Sequence, residues 1–183
     1  AMLASEVAAA DLLTCGRIML GIGRGHPWVI GRMNVDAASS TARFEEGIRM
    51  LVEIFKGDYI EKLDGEFWQI RDFKLSPPPV QQPHPPIYTA AATTPDSASF
   101  AGRVGQGLVQ PGYLGIPFDL VRGLTETYRK NLPAGSKSDI ILGIHLHVAK
   151  DRNEAVENGA LALATQAEVF LRGRLSRSVQ TEQ

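Results

Sequence analysis

The sequence predicts an α/β fold built on a parallel sheet. Three observations lead there. Strand-like and helix-like segments alternate four times along the chain. The strand-like runs are apolar almost throughout, which suits strands covered on both faces. The alternation is broken once, by short aromatic pieces around Asp64-Gly65, a turn signal that reads as a small hairpin.

The elements follow in order. Leu3, Val7, Ala10 and Leu13 recur at helical spacing and predict a helix over Leu3–Leu13. Arg17–Gly23 predicts a first strand. Arg24 to Ser40 reads as a loop with Gly, Pro and Asn, and its Ser/Thr cluster can cap the next helix, Thr41–Phe55. That helix carries Phe44, Ile48, Leu51 and Phe55 on one stripe, with Glu45 and Glu46 near its positive end. The hairpin lies within Gly57 to Leu75. Residues 76–86 form a proline-rich connector, because proline locks φ and removes a donor. Ile87–Ala91 is the second strand. Thr94 and Pro95 read as the cap and first position of a helix. Gly105–Gln110, helix Phe118–Lys130, strand Asp139–Ala149 and helix Asp151–Arg172 complete the order. Residues 174–183 read as a flexible tail.

The chain has 183 residues, so a single domain over 1–183 is expected. Hydrophobic residues are 44% and charged residues 21%, which excludes an intrinsically disordered chain and a coiled coil. Lys+Arg is 19 against Asp+Glu 20, and no basic stripe is present, so no nucleic-acid partner is expected. No apolar run approaches the ~18 residues that span a bilayer, and no membrane partner is expected. Ala1 to Ala10 lack a basic stretch before an apolar one and do not read as a signal peptide; they read as the middle of a helix. Cys15 is the single cysteine, so no intrachain disulfide can form. That fits a reducing compartment, and a cytoplasmic location is expected. Cys15 itself reads as a small turn residue without a neighbouring base.

In a (β/α) sheet, ligand chemistry sits in the loops after the strands. Gly21-Ile22-Gly23-Arg24-Gly25 has the look of a nucleotide loop, but the dinucleotide fingerprint would need glycine where His26 stands. What remains is a glycine-lined strand end followed by Arg24, either a site cation or a surface arginine in a tight turn. Arg43 stands near a helix N-terminus, where a cation opposes the helix dipole. Either Glu45 or Glu46 is its partner, or it points into the site beside Arg24 to hold an anion. Thr93-Thr94-Pro95-Asp96-Ser97 sits between a strand and a helix start, where free N–H groups and hydroxyls suit a phosphate. Asp96 cuts against this, and plain helix capping explains the same residues. His26 and Trp28 can shape a pocket, or Trp28 simply covers the core edge. His145 and His147 share one strand face, yet no matching ligand set accompanies them. No metal is expected, and polar lining of a barrel interior or cleft accounts for the pair. No catalytic residue can be named from these patterns.

Several stretches together resemble the bacterial luciferase-like flavin-dependent monooxygenases. They are Leu3 to Arg17 with Gly21 to Gly25, Arg43-Phe44-Glu45-Glu46-Gly47, Gly65-Glu66-Phe67-Trp68, Pro77 to Tyr88, and Ala91 to Ser97 leading to Gly105. Singly each is weak; in this order they are specific and cover nearly the whole chain. The resemblance implies a TIM (β/α) barrel, here a partial one with parallel strands and a small hairpin excursion. It implies a reaction in which reduced flavin and O₂ oxygenate a small organic substrate, with FMN as cofactor and a flavin reductase as a possible partner. F420-dependent oxidoreduction is the alternative, as is a non-catalytic flavin-binding or self-associating remnant. By resemblance, Arg24 and Arg43 lie near the flavin phosphate, and Thr93, Thr94 and Ser97 belong to the phosphate loop. Ala92 stands where luciferase has an acidic residue. The chain matches the middle of the family's barrel, so open sheet edges are expected, and with them a homo-oligomer, most simply a homodimer.

Overall fold

Residues 1–33, 35–112 and 116–178 are described by the computed structural model, except for the side chains of Pro27, Trp28, Phe170, Leu171 and residues 173–178. The elements are α1 (Met2–Leu13), β1 (Leu20–Ile22), α2 (Pro27–Arg32), α3 (Ser40–Phe55), β2 (Ile60–Asp64), β3 (Gln69–Phe73), β4 (Ile87–Ala90), α4 (Pro95–Arg103), β5 (Gly107–Gln110), α5 (Phe118–Asn131), β6 (Ile140–Leu142) and α6 (Arg152–Ser178). Four strands form one sheet in the order β1-β4-β5-β6, every pair parallel. The β2–β3 hairpin is a separate antiparallel pair. An α/β fold with a parallel sheet, predicted from the alternation, is therefore present.

Each strand is shorter than the sequence predicts, for local reasons. β1 starts at Leu20 instead of Arg17 because its neighbour begins after Pro85-Pro86, which offer no N–H; pairing opens with Leu20 N–H on the Pro86 carbonyl at 2.8 Å. β5 starts at Gly107 because Gly105, at φ +69°, belongs to the end of α4. The largest departure is β6. It ends at Leu142, not Ala149, because β5 gives way to Pro111 and the ladder closes with Gly143 N–H on the Gln110 carbonyl at 2.9 Å. The segment Ile144 to Val148 then continues with no strand partner among the described residues.

Three further differences concern helices. The expected loop after β1 contains α2, opened by Pro27 at its first position. α1 buries Ala4, Val7, Ala8 and Asp11, while Leu3 and Leu13 stay exposed. The face is rotated from the apolar stripe because buried Asp11 accepts the Gln81 backbone N–H at 2.8 Å and its side-chain amide at 2.7 Å. This bond ties the proline-rich connector to α1, and Gln81 also donates to the Ile18 carbonyl beside β1. α6 continues past Gly173 to Ser178, and residues 179–183 lie outside the described residues.

Two apolar clusters flank the sheet. One joins α1, α3 and the connector through Ala4, Val7, Leu51, Ile54, Phe55, Leu75 and Ile87. The other joins α4 and α5 to β5 through Ala98, Ala101, Leu108, Leu124 and Tyr128. Each large apolar side chain buried there contributes about 1.5–3 kcal/mol relative to exposure. Among the described residues no helix is long and apolar enough to cross a membrane.

Candidate functional site

Parallel pairing sets all four strand ends along one edge of the sheet. β1 and β4 are direct neighbours, with Ile22 opposite Thr89, so the Gly23–His26 and Ala92–Ser97 segments leave the sheet side by side. The surface there is made of backbone and small side chains. A Cβ on Gly23 would touch the Ala90 Cβ at 3.4 Å, and one on Gly112 would strike the Gly143 carbonyl. Glycine at these points permits the close approach of neighbouring chain.

Arg24 and Arg43 both reach the first turn of α3. An Arg24 Nη donates to Thr41 Oγ1, and Arg43 Nε donates to Ser39 Oγ at 3.2 Å. The Arg43 guanidinium lies over the Phe67 ring, with Cζ 4.6 Å from the centroid. Neither acid expected as its partner is a simple one. Glu45 pairs with Arg49 at 3.0 Å. Glu46 carries Arg43's field, but its oxygens accept the backbone N–H groups of Glu66, Phe67 and Trp68 at 2.8–2.9 Å. Burial would raise the Glu46 pKa; the three N–H groups and the Arg43 charge outweigh this and hold it below the usual value of 4.5. The expected Ser/Thr cap of α3 is absent as a side-chain bond, and Asp36 instead accepts the N–H groups of Ala38 and Ser39.

Thr94 occupies the N-cap position of α4 with Pro95 next, as predicted, but makes no side-chain capping bond. Thr93 is exposed, Ala92, Thr94 and Ser97 are half-buried, and Asp96 stands exposed in the first turn. Pro95 has no N–H and the Ser97 N–H donates to the Thr94 carbonyl at 3.2 Å, so this helix start offers the Asp96 N–H and the Thr and Ser hydroxyls rather than a full set of free donors. His26 is the N-cap residue of α2, its carbonyl accepting from Val29 and Ile30. Trp28 lies on α2, and its side chain is outside the described residues. His145 and His147 lie beyond β6 and are exposed, so the strand face they were expected to share does not form.

Two cavities lie nearby. A slot of about 350 Å³ between α1, α3 and the hairpin is walled by Leu3, Ile22, Phe44, Leu51 and Trp68, with Arg43 at its rim. A larger one of about 730 Å³ opens at the opposite end of the sheet, among Met50, Val52, Leu63, Tyr88, Gln106 and Asp139. There Tyr88 donates its hydroxyl to Asp139 at 2.5 Å; that bond, with burial and the Asp139 charge, pushes the Tyr88 pKa up to about 12. In parallel α/β sheets ligand chemistry belongs at the C-terminal edge, so the larger cavity is not the first candidate.

A family model described as luciferase-like monooxygenase matches residues 1–180. The chain belongs to the luciferase-like monooxygenase family. Among luciferase-like proteins, it is 34% identical over 158 residues to the oxygenase component of the flavin-dependent trigonelline monooxygenase of Acinetobacter baylyi, covering 84% of this chain and 43% of that protein. It is 29% identical over 166 residues to the F420-dependent glucose-6-phosphate dehydrogenase of Amycolatopsis mediterranei, covering 86% of this chain and 48% of that one. In structure it is similar to the monooxygenase RslO1 from Streptomyces bottropensis, with a TM-score of 0.82 and 28% identity, covering 98% of this chain and 56% of RslO1. The chain thus spans about half the length of the luciferase-like relatives it matches. Its sheet and helices are a partial TIM (β/α) barrel of the luciferase-like kind.

Sequence reasoning passed over Glu46 as anything more than a neighbour of Arg43, and it missed Phe67, Thr41 and Ser39 as contacts of the arginines. The one signal available was Gly65-Glu66-Phe67-Trp68, noticed only as a family stretch.

Proposed function

We propose that this chain carries the cofactor-phosphate site of a flavin-dependent oxidoreductase, a monooxygenase that uses reduced FMN and O₂ to oxygenate a small organic substrate. The observation that carries this reading is the direct parallel pairing of β1 with β4, which brings the Arg24 loop and the α4 start to one edge. The residues present fit a phosphate. Arg24 and Arg43 provide positive charge beside the α3 first turn. The α4 N-terminus adds the Asp96 N–H and the hydroxyls of Thr93, Thr94 and Ser97. Ala92 contributes backbone and space rather than charge. Asp96 is exposed and can turn to solvent.

Bound reduced flavin supplies the electrons, and O₂ supplies the oxygen atom delivered to substrate. The chain's own groups bind and orient. Arg24 and Arg43 neutralise the phosphate, the α4 start with its hydroxyls fixes its position, and the glycine-lined strand ends leave room for a planar ring. The α2 segment, with His26 at its N-cap and Trp28 within it, is assigned to the substrate side. A separate flavin reductase supplies reduced cofactor, the location is cytoplasmic, and two copies associate through open sheet edges. The chain acts as one domain, with 76–86 as an internal connector.

A second reading, F420-dependent oxidoreduction, is favoured by the 29% identity to an F420-dependent dehydrogenase. Titrating the purified chain with FMN, riboflavin and F420, followed by fluorescence, separates the two. FMN binding well above riboflavin supports the first reading. Preference for F420 replaces it with the second, and binding of neither cofactor overturns both.

A further inference from the structure

We propose that Glu46 is a positioning residue for Arg43: it holds the tip of the β2–β3 hairpin against α3, so that Phe67 stays beneath the Arg43 guanidinium and presets it for a cofactor phosphate. The inference rests on the proposed role of Arg43.

The geometry forms a closed circuit between one turn of α3 and the hairpin tip. Glu46 Oε2 accepts the Glu66 N–H at 2.9 Å, and Oε1 accepts those of Phe67 at 2.9 Å and Trp68 at 2.8 Å. Three successive N–H groups converging on one carboxylate make an anion nest, here filled by the protein itself. The circuit closes through Trp68, whose indole Nε1–H donates to the Arg43 carbonyl at 3.1 Å. Phe67 lies between the two anchored residues, and its ring faces Arg43. Gly65 is part of the fit, since a Cβ there would strike the Glu46 carboxylate.

The consequence for Arg43 is physical. An arginine side chain has many rotamers, and one that must first be ordered binds an anion less well than one already held. Here the Phe67 face supports the guanidinium plane and Ser39 fixes Nε. The Nε bond uses one of five N–H donors and leaves the others for a phosphate. Remove Glu46 and the hairpin tip loses its three strongest bonds to α3. The aromatic support under Arg43 then moves.

The test compares Glu46→Ala, Glu46→Gln and Phe67→Leu with Arg43→Ala, all on the full chain. The first readout needs no cofactor. In nitrogen-15 NMR, Glu46→Ala should speed exchange of the Arg43 Nε–H by about tenfold or more, with Glu46→Gln intermediate because its carbonyl oxygen keeps part of the nest. Unchanged exchange in Glu46→Ala overturns the proposal. The second readout is the ratio of FMN to riboflavin affinity. Glu46→Ala and Phe67→Leu should lower it about tenfold, and Glu46→Ala should lower it no further when Arg43 is already alanine. Equal losses with and without Arg43 mean that Glu46 acts only on the hairpin, and the proposal falls. Should Glu46→Ala fail to fold, Glu46→Gln and Phe67→Leu decide the same questions. A chain whose Nε exchange responds as expected but that binds neither FMN nor F420 retains the positioning of Arg43 and refutes the phosphate role.

Discussion

Glu46 and Arg43, one turn apart on α3, both hold Trp68: the Glu46 carboxylate accepts its backbone N–H, and the Arg43 carbonyl accepts its indole N–H. The hairpin is therefore fixed to α3 at its tip, not merely packed on it. Its turn is the four-residue Gly65–Trp68 closure, with Gly65 N–H on the Trp68 carbonyl at 2.9 Å, rather than the two-residue Asp64-Gly65 turn the sequence signals.

Gly65→Ala should release this hairpin tip. The new Cβ would meet Glu46 Oε1 and Cδ, and the Met50 Cε at 2.8 Å. A glutamate end is flexible, but this one is held by three N–H groups, so moving it breaks them. Trp68 fluorescence should shift toward that of an exposed indole, read against the same change in a Trp28→Phe background. An unshifted spectrum would show that the clamp tolerates a side chain. Acid should do the same to the unmodified chain. The Glu46 pKa is lowered on folding, so its contribution is present above about pH 4.5 and is lost as pH falls through the lower folded value.

Arg43→Ala should weaken FMN binding by about 10- to 100-fold, the range expected for losing a charged hydrogen bond to phosphate. Arg43→Lys should recover part, because lysine keeps the charge but not the planar fork. Riboflavin affinity should be unaffected. An unchanged FMN affinity in Arg43→Ala would make Arg43 a helix-surface residue stacked on Phe67.

Tyr88 should stay protonated well past the range of an ordinary phenol, its pKa raised to about 12 by the hydrogen bond to Asp139. The sign follows from linkage: its contribution to stability is complete below about pH 10 and is lost as pH rises through the folded value. Absorbance titration near the tyrosinate band, comparing the chain with Tyr88→Phe, reads this directly. A difference curve centred near pH 10 would contradict it.

Gly102→Ala should destabilise the α4–α5 pair by about 1–3 kcal/mol, the usual cost of overpacking. The added Cβ would lie 2.5 Å from the Tyr128 carbonyl oxygen and 2.8 Å from the Asn131 Cβ. The carbonyl is helix backbone and cannot swing aside, so the helices must part. Gly123→Ala on α5 is the control, since nothing lies within 4 Å of its Cβ position. Urea unfolding of both variants should show a loss for Gly102→Ala only.

Association should be visible at micromolar concentration. Ile144, Leu146 and Val148 are 72%, 78% and 80% exposed on a segment with no strand beside it among the described residues. An apolar, unpaired extended segment is a template for pairing, and a second copy of the chain is the proposed occupant. Sedimentation should report a dimer, and Leu146→Lys should shift it toward monomer. A monomeric chain would refute the proposal.

Local chemistry made much of the fold legible. Pro95 after Thr94 announces α4, and the apolar runs before Gly23 and around Ile87 announce strands, because each depends on neighbours within a few residues. A parallel sheet was implicit in that alternation, and with it the edge where Arg24 and the Ala92–Ser97 segment emerge; that β1 and β4 are direct neighbours was not. Tertiary structure decided what those patterns could not contain. β6 stops at Leu142 because its neighbour runs into Pro111, a fact about a different segment. α1 turns Asp11 inward because Gln81, 70 positions away in sequence, supplies its donors. Arg43 takes an aromatic floor and Glu46 takes three backbone N–H groups from a hairpin 20 or more positions ahead. Helix periodicity placed both residues on α3 correctly. Which partners they would meet depended on how a separate piece of chain folded back across them, and no window along the sequence carries that distance.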